Sequence, residues 1–402
     1  MRILMLDNEF PPLGGGMGTV NRALLDCYAR TPELEIDLIT SALGVRQEVE
    51  QFAGHIRIIK VPVWNRNIHH STSRELLMYA MQALPRSLKC HRAMPYDFCL
   101  AWSTLPAGAV AFALHRLLML PYAVWVSGPD IPGFERRYRF IYPLLSPVIR
   151  RIWRDATHVV AKCAGEIEMI HAIESKINIR FIPNGVDLAI FRPGPDIPDI
   201  GPLHVICVAR LIDRKGQNHL IEAVKRLTDS GVDIILSLIG TGDSQADYED
   251  QARRLGIPDR IRFVGYVPRE EINKHYSAAH VFALPSYSEG MSVAALEAMA
   301  AGLPLVVTRT GGTDELVEEG VNGYSFEWGD IEALINYLRI LAEDRVLVRR
   351  MGAASHARAA CFTSDAIADL FLKVFKQIIS ESSTLPPDLK AESERHSKLP
   401  RV

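Results

Sequence analysis

Cysteine is scarce and scattered. The six residues in 402 (Cys27, Cys90, Cys99, Cys163, Cys207, Cys361) form no C-x-x-C pair and adjoin no histidine cluster at ligand spacing. Neither a disulfide framework nor a zinc module organises the chain, and free thiols fit a reducing compartment. No long apolar run is present. The most apolar stretch, 100–126, is broken by Pro106, His115-Arg116 and Pro121, which excludes a transmembrane helix there. Nothing resembles a signal peptide, because Met1-Arg2 runs straight into an apolar strand at 3–6. Charge of one sign is lacking too: 45 Lys and Arg face 47 Asp and Glu, a net of −2, so no global argument for nucleic acid exists. With 48% hydrophobic and 23% charged residues, disordered and collagen-like chains are also excluded. The expectation is a soluble, cytoplasmic, globular protein.

What is there begins with length. A single core stops growing near about 250–300 residues, so 402 residues predict two domains. Charge divides unevenly between them: residues 1–195 hold 22 Lys and Arg against 17 Asp and Glu, and 196–402 hold 23 against 30. The positive excess concentrates in 86–162, where 11 cations face 4 acids. Such a surface attracts phosphates or anionic lipid headgroups, or is simply a solvated basic face. Within it, 140–154 joins aromatic and aliphatic residues to Arg150, Arg151 and Arg154, a mixture that suits an interfacial helix; Pro143 and Pro147 are expected to interrupt its first half.

Short apolar runs alternate with helical patterns in both halves. Strands are predicted at 3–6, 36–40, 56–61, 98–102, 122–126, 159–161 and 180–182, then at 205–209, 234–239, 261–264, 281–284 and 305–308. Helices fall between them, so the fold class is α/β, with two doubly wound parallel sheets. The expected division is 1–190 and 203–360, with a Pro- and Gly-rich linker between. A helix at 361–380 is expected to pack back on the first domain, and 381–402 reads as a disordered tail. In such folds ligands bind beyond the carboxyl ends of the strands.

Three motifs lie at such ends. Gly14, Gly15, Gly16 and Gly18 follow the first strand and precede the first helix, so backbone N–H groups at a helix N-terminus offer an anion site. The Lys-Ser/Thr of a P-loop is absent, and the spacing is not a clean G-x-G-x-x-G; a plain tight turn is an equal reading. Arg210 and Lys215 flank a loop after the strand at 205–209, where two cations can neutralise a diphosphate or form an ordinary exposed pair. Glu289 and Glu297 are separated by a little over two helical turns. They suit two sets of vicinal hydroxyls, ribose and a sugar ring, at different depths. Gly290, Met291 and Ser292 lie at the N-terminus of the helix carrying Glu297, which favours phosphate.

No motif decides alone, but their order does. Gly14–Gly18, Ile182-Pro183-Asn184-Gly185-Val186-Asp187 with Phe191-Arg192-Pro193, Ala209-Arg210-Leu211 with Lys215-Gly216, Glu289 with Glu297, Gly311-Gly312-Thr313-Asp314-Glu315 and Gly320-Val321-Asn322-Gly323 form a series along nearly the whole chain. In this it resembles the family 4 glycosyltransferases of the GT-B fold. The resemblance implies two Rossmann-like domains facing an interdomain cleft, acceptor-binding at the N-terminus and nucleotide-sugar-binding at the C-terminus. It implies a retaining, metal-independent transfer from a UDP- or GDP-linked sugar to a saccharide or lipid-linked acceptor, in cell-envelope polysaccharide or glycolipid synthesis. No cofactor is implied. Arg210 and Lys215 would hold the diphosphate, Glu297 the ribose and Glu289 the sugar hydroxyls. Gly290–Ser292 would contact the donor, the base would stack near Tyr266 and Val267, and the Gly-rich loop would close on the phosphates.

One position departs from the pattern. Where many members show His-Gly-x-Asp, this chain reads Ser127-Gly128-Pro129-Asp130 on the expected acceptor side. Serine hydrogen-bonds but is no acid or base near neutral pH. Two other classes compete: a sugar-nucleotide 2-epimerase, which would need further acid/base residues in the cleft, and a non-catalytic sugar-nucleotide-binding subunit, which Ser127 suggests. Peripheral association with anionic membrane, at the inner face of the cell membrane, is a further expectation.

Overall fold

The computed structural model describes residues 1–65, 71–135, 138–194 and 200–383. It divides into two compact units: Met1–Ile182 together with the chain from Ile367 onward, and Pro183–Ala366.

The first unit contains β1 (Arg2–Leu6), α1 (Gly16–Tyr28), β2 (Glu35–Ala42), β3 (Glu48–Ala53), β4 (Ile56–Pro62), α2 (Ser73–Ala93), β5 (Phe98–Ala101), α3 (Ala109–Leu118), β6 (Tyr122–Trp125), α4 (Tyr142–Asp155), β7 (His158–Ala161), α5 (Ala164–Ile173) and β8 (Ile179–Phe181). Its sheet runs β3-β4-β2-β1-β5-β6-β7-β8, parallel except for β3 against β4. Strand order reverses between β1 and β5, where Ile3 lies beside Phe98. All five residues of β1 are buried, as expected where helices cover both faces of a parallel sheet.

The second unit contains β9 (Leu203–Val208), α6 (Gln217–Asp229), β10 (Ile234–Ile239), α7 (Gln245–Arg254), β11 (Ile261–Gly265), α8 (Arg269–Tyr276), β12 (Val281–Leu284), α9 (Val293–Ala300), β13 (Leu305–Thr308), α10 (Thr313–Leu316), β14 (Gly323–Phe326), α11 (Ile331–Glu343) and α12 (Arg345–Ala359). Its sheet, β11-β10-β9-β12-β13-β14, reverses between β9 and β12, where Val205 lies beside Val281. Periodicity explains the helices. In α6, Leu220, Ile221, Val224 and Leu227 recur at helical spacing and are all buried.

The final helix, α13 (Ser364–Ser383), belongs mostly to the first unit. Phe375 packs on Tyr28 and Phe98, with ring centroids 6.3 and 5.4 Å apart. Phe371 lies 5.9 Å from Trp102, and the Tyr28 hydroxyl donates to the Ala368 carbonyl at 2.9 Å. This aromatic layer fills one face of the sheet together with α1. On the other face, Leu4, Leu6, Cys99, Ala101 and Val124 share a core with residues of α2, α3, α4 and α5.

The boundaries differ from the sequence expectation in ways the packing explains. The first unit ends at Ile182 rather than 190, because Asn184, Val186 and Phe191 are buried in the second. Phe191 stacks edge-on against Tyr276 at 6.0 Å. The helix expected to end at 380 runs to Ser383; the tail beyond it lies outside the described residues. Strand β3 escapes the sequence reading because it is an edge strand with exposed Glu48, Val49 and Glu50, where Lys60 pairs with Glu50 at 2.8 Å. Helix α2 escapes it as well. It opens with a capping box between Thr72 and Glu75 and continues through Pro85. Nor do Pro143 and Pro147 break α4: Pro143 sits in the first turn, where no N–H partner exists, and Pro147 forfeits a single bond.

Candidate active site

Each sheet brings its loops together at the point where strand order reverses. In the second unit these are the loops after β9 and β12. The first is held by Gln217, fully buried, whose amide donates to the Arg210 carbonyl at 2.9 Å. Residues 213–215 make one 3₁₀ turn that ends at Gly216, left-handed at φ 68°. A Cβ on Gly216 would come within 2.2 Å of the Pro285 carbonyl oxygen, so only glycine lets this turn lie against the end of β12. The approach joins the loops. Lys215 pairs with Glu289, Arg214 Nη1 donates to the Ser288 carbonyl at 2.7 Å, and Tyr287 N donates to the Arg214 carbonyl at 2.8 Å. Burial pushes the Glu289 carboxyl upward, but the charges of Lys215 and Arg214 prevail and hold it below the usual carboxylate range.

Glu289 precedes α9 rather than lying on it, so the two carboxylates do not share a helix face. They serve different surroundings. Glu297, buried on α9, accepts from the Tyr276 hydroxyl at 3.0 Å and lies 3.7 Å from Arg269. Burial raises its carboxyl to about 7, against the opposing pull of Arg269 and Tyr276. Ser292 caps α9 by accepting from the Ala295 N–H at 3.3 Å. A cavity at this helix start is lined by Glu289, Gly290, Ser292, Thr310, Gly312 and Thr313. Gly312 is required there, because a Cβ would meet the Gly290 carbonyl at 2.4 Å.

Other residues hold this arrangement, and sequence reasoning assigned them no role. Asn184 donates to the Met291 carbonyl at 2.8 Å, fixing the strand-to-helix turn from a segment more than 100 residues away. Thr308 donates to the Ser286 carbonyl at 2.6 Å, and Thr313 to the Thr308 carbonyl at 2.9 Å. The only sequence signal was the place of Asn184 and Thr313 in the motif series. Tyr266 follows Gly265 at the carboxyl end of β11, exposed to 63%, while Val267 packs on the core. Both lie two strands from β9.

The first unit presents a different construction. After β1 the glycine loop leads into α1, whose N-cap is Gly15 with no side-chain cap and no acid in its first turn. Gly14 is left-handed at φ 88°, and the Glu9 side chain covers it, accepting weakly from the Gly15 N–H at 3.4 Å. After β6, Asp130 closes the Ser127 turn. Its Oδ2 accepts from the Ser127 N–H and hydroxyl, both at 2.9 Å, and from the Thr104 N–H beyond β5 at 3.0 Å. Burial pushes this carboxyl up to about 6, although those donors and the charge of Lys162 oppose it. Lys162 itself is buried, bonded to the Val126 carbonyl at 2.8 Å and to Glu166 at 2.6 Å. Among the described residues, no three His, Cys, Asp or Glu side chains converge as metal ligands.

Two parallel α/β units with charged and glycine-rich loops at their switch points define a GT-B protein, and comparison with known proteins agrees. Residues 15–185 match the glycosyl transferase 4-like domain, and residues 198–358 match glycosyl transferases group 1. Over 370 residues, 88% of this chain and 92% of the relative, it is 30% identical to a GDP-mannose-dependent alpha-(1-6)-phosphatidylinositol monomannoside mannosyltransferase of Mycolicibacterium smegmatis. The fold matches sucrose-phosphate synthase of Thermosynechococcus elongatus with a TM-score of 0.83 at 22% identity, covering 94% and 99% of the two chains. It also matches Anabaena HepE, solved with UDP and glucose, with a TM-score of 0.73 at 22% identity over 94% and 99%. The chain belongs to the family 4 glycosyltransferases.

Proposed function

We propose that this chain transfers a sugar, with retention of anomeric configuration and without a metal ion, from a UDP- or GDP-linked donor to a saccharide or lipid-linked acceptor in cell-envelope glycolipid or polysaccharide synthesis. The observation that carries the reading is the coupling of Lys215 to an ionised Glu289 beside the amide-rich start of α9. A cation, a carboxylate and free N–H groups thus converge at one switch point. Lys215, Arg210 and the amides at 290–292 stabilise the charge that develops on a departing diphosphate. Glu289 accepts from sugar hydroxyls and Glu297 from ribose. Tyr266 and Val267 flank the base, and the glycine loop supplies N–H groups to the phosphates.

With these groups in place, the C1–phosphate bond breaks and the bond from the acceptor oxygen to C1 forms on the same face. The departing phosphate oxygen takes the acceptor's proton. No protein base is then needed, which accommodates a serine at position 127. The mannosyltransferase and HepE named above support a nucleotide sugar as donor.

The test measures nucleoside diphosphate release from UDP-glucose, UDP-galactose and GDP-mannose, with and without envelope glycolipid and with EDTA. Acceptor-dependent release that survives EDTA, and a product whose anomeric coupling matches the donor's, is the expected result. Conversion of the donor without any acceptor, or inversion at C1, overturns the reading.

A further inference from the structure

Three loops at the carboxyl edge of the second sheet meet in an aromatic cluster that the transfer reading leaves without a role. Trp328 follows β14, Tyr287 follows β12, and His219 lies in the first turn of α6, beyond the loop after β9. The Trp328 ring stands nearly at right angles to Tyr287, with centroids 5.1 Å apart. It lies tilted against His219 at 5.9 Å. Yet it is 46% exposed and takes no part in the apolar core of the unit.

The backbone holds this ring in one place. Asp330 N donates to the Glu327 carbonyl at 3.0 Å, which closes a four-residue turn around Trp328 and Gly329. Gly329 is left-handed at φ 86°, as the third position of such a turn demands. Asp330 then caps α11 by accepting from the Ala333 N–H at 2.9 Å. The second position of the turn tolerates most residues, so the turn accounts for the glycine and the aspartate but not for the indole. The cluster is also tied to the loops of the site, since Tyr287 N bonds the Arg214 carbonyl at 2.8 Å and Glu289 follows two residues on.

Polar groups border the ring. Glu327 is exposed beside it, 3.9 Å from Arg309. Burial holds the His219 imidazole below its usual range, against the pull of Glu222 and Asp213, so at neutral pH it offers one donor and one acceptor. A half-exposed aromatic face with such a rim complements a pyranose, whose axial C–H groups lie on the ring while its hydroxyls reach the polar groups. Direction along the sheet favours the same occupant. With the base beside Tyr266 after β11 and the diphosphate at the β9–β12 reversal, a donor runs along the order β11-β10-β9-β12. Whatever continues past its sugar meets the loops after β13 and β14.

We propose that Trp328, flanked by Tyr287 and His219, is a stacking platform for a pyranose ring of the saccharide acceptor. The inference rests on the sugar-transfer reading for the choice of occupant and adds a subsite to it.

Saturation-transfer NMR of the purified full chain with maltotetraose, mannotetraose and galactotetraose reads saccharide binding without any turnover. At least one of the three should bind. Trp328→Ala should weaken it at least about tenfold, the scale of a lost aromatic contact, whereas Trp328→Phe keeps an aromatic face and should retain most of the affinity. Thermal shift with UDP and GDP should be unchanged in both variants, which separates a lost platform from lost folding or lost donor binding. Where nucleoside diphosphate release depends on an acceptor, Trp328→Ala should raise the acceptor KM about tenfold and leave kcat and the donor KM alone. Wild type that binds none of the tetrasaccharides overturns the platform, as does Trp328→Ala that binds them unchanged. Nucleotide affinity that falls in Trp328→Ala while saccharide binding stays would mark a base site and overturn it too. Saccharide binding that needs Trp328, without release of nucleotide from any donor, supports the platform and overturns the transfer reading alone.

Discussion

The two switch points solve one problem, holding loops open for a ligand, by different chemistry. In the second unit, charged side chains do it. Lys215 meets Glu289, and Arg214 reaches across to Ser288, so the loops after β9 and β12 are joined by the groups expected to touch the donor. In the first unit, backbone does it. Gly14–Gly18 present amides beside the Glu9 side chain, and the Asp130 carboxylate is occupied with three donors of its own loops. Substitutions in the second unit should therefore strike chemistry and architecture together, whereas those in the first should separate them.

Four measurements would break or sharpen that contrast. Lys215→Ala is expected to have the largest effect, lowering kcat/KM by about 2–4 kcal/mol and also lowering stability, because Glu289 is left buried without its partner. Full activity in that variant would detach the ion pair from function. Asp130→Ala should cost about 1–3 kcal/mol of stability, since it orphans the Ser127 and Thr104 N–H groups. Urea unfolding reads that loss, and donor binding by the second unit should be spared. A fall in donor affinity as large as that of Lys215→Ala would erase the distinction between the units.

The pH dependence comes third. Glu297, at about 7, and Asp130, at about 6, both stand above ordinary carboxyls. The folded chain therefore keeps protons that the unfolded chain releases. Their contribution to stability is complete below about 4 and is lost as pH rises, through about 6 for Asp130 and about 7 for Glu297. Glu297→Gln should flatten the decline in Tm between pH 5 and 7, and Asp130→Asn the decline between pH 4 and 6. Parallel curves for wild type and both variants would refute the assignment. Ser127→Ala should do least, about 0.5–1.5 kcal/mol, because its hydroxyl spends its hydrogen bond on Asp130, at 2.9 Å. An inactive Ser127→Ala enzyme would place that hydroxyl in the chemistry instead.

The sequence was most legible where order along the chain equals order in space. Alternating strands and helices follow from periodicity. The loops bearing Arg210, Lys215 and Glu289 could be found because βα turns always fall at the carboxyl edge. What stayed hidden depends on long-range register. Nothing local says that Asn184 will brace Met291, or that Tyr276 and Arg269 on α8 will surround Glu297 on α9. The start of α9 was legible as well: Gly290–Ser292 were expected at its N-terminus, and the helix begins at Val293. Edge strand β3 was lost because its glutamates solve an edge's exposure problem and so erase the apolar signature of a strand.

The return of α13 to the first unit has a consequence for synthesis. A growing chain can complete residues 183–366 and bury their core while the first unit still lacks the layer that covers Phe98, Trp102 and Trp125. That aromatic surface stays open until Phe371 and Phe375 leave the ribosome. The half made first is thus finished last, and nascent chains stalled before residue 367 should be the ones that chaperones hold.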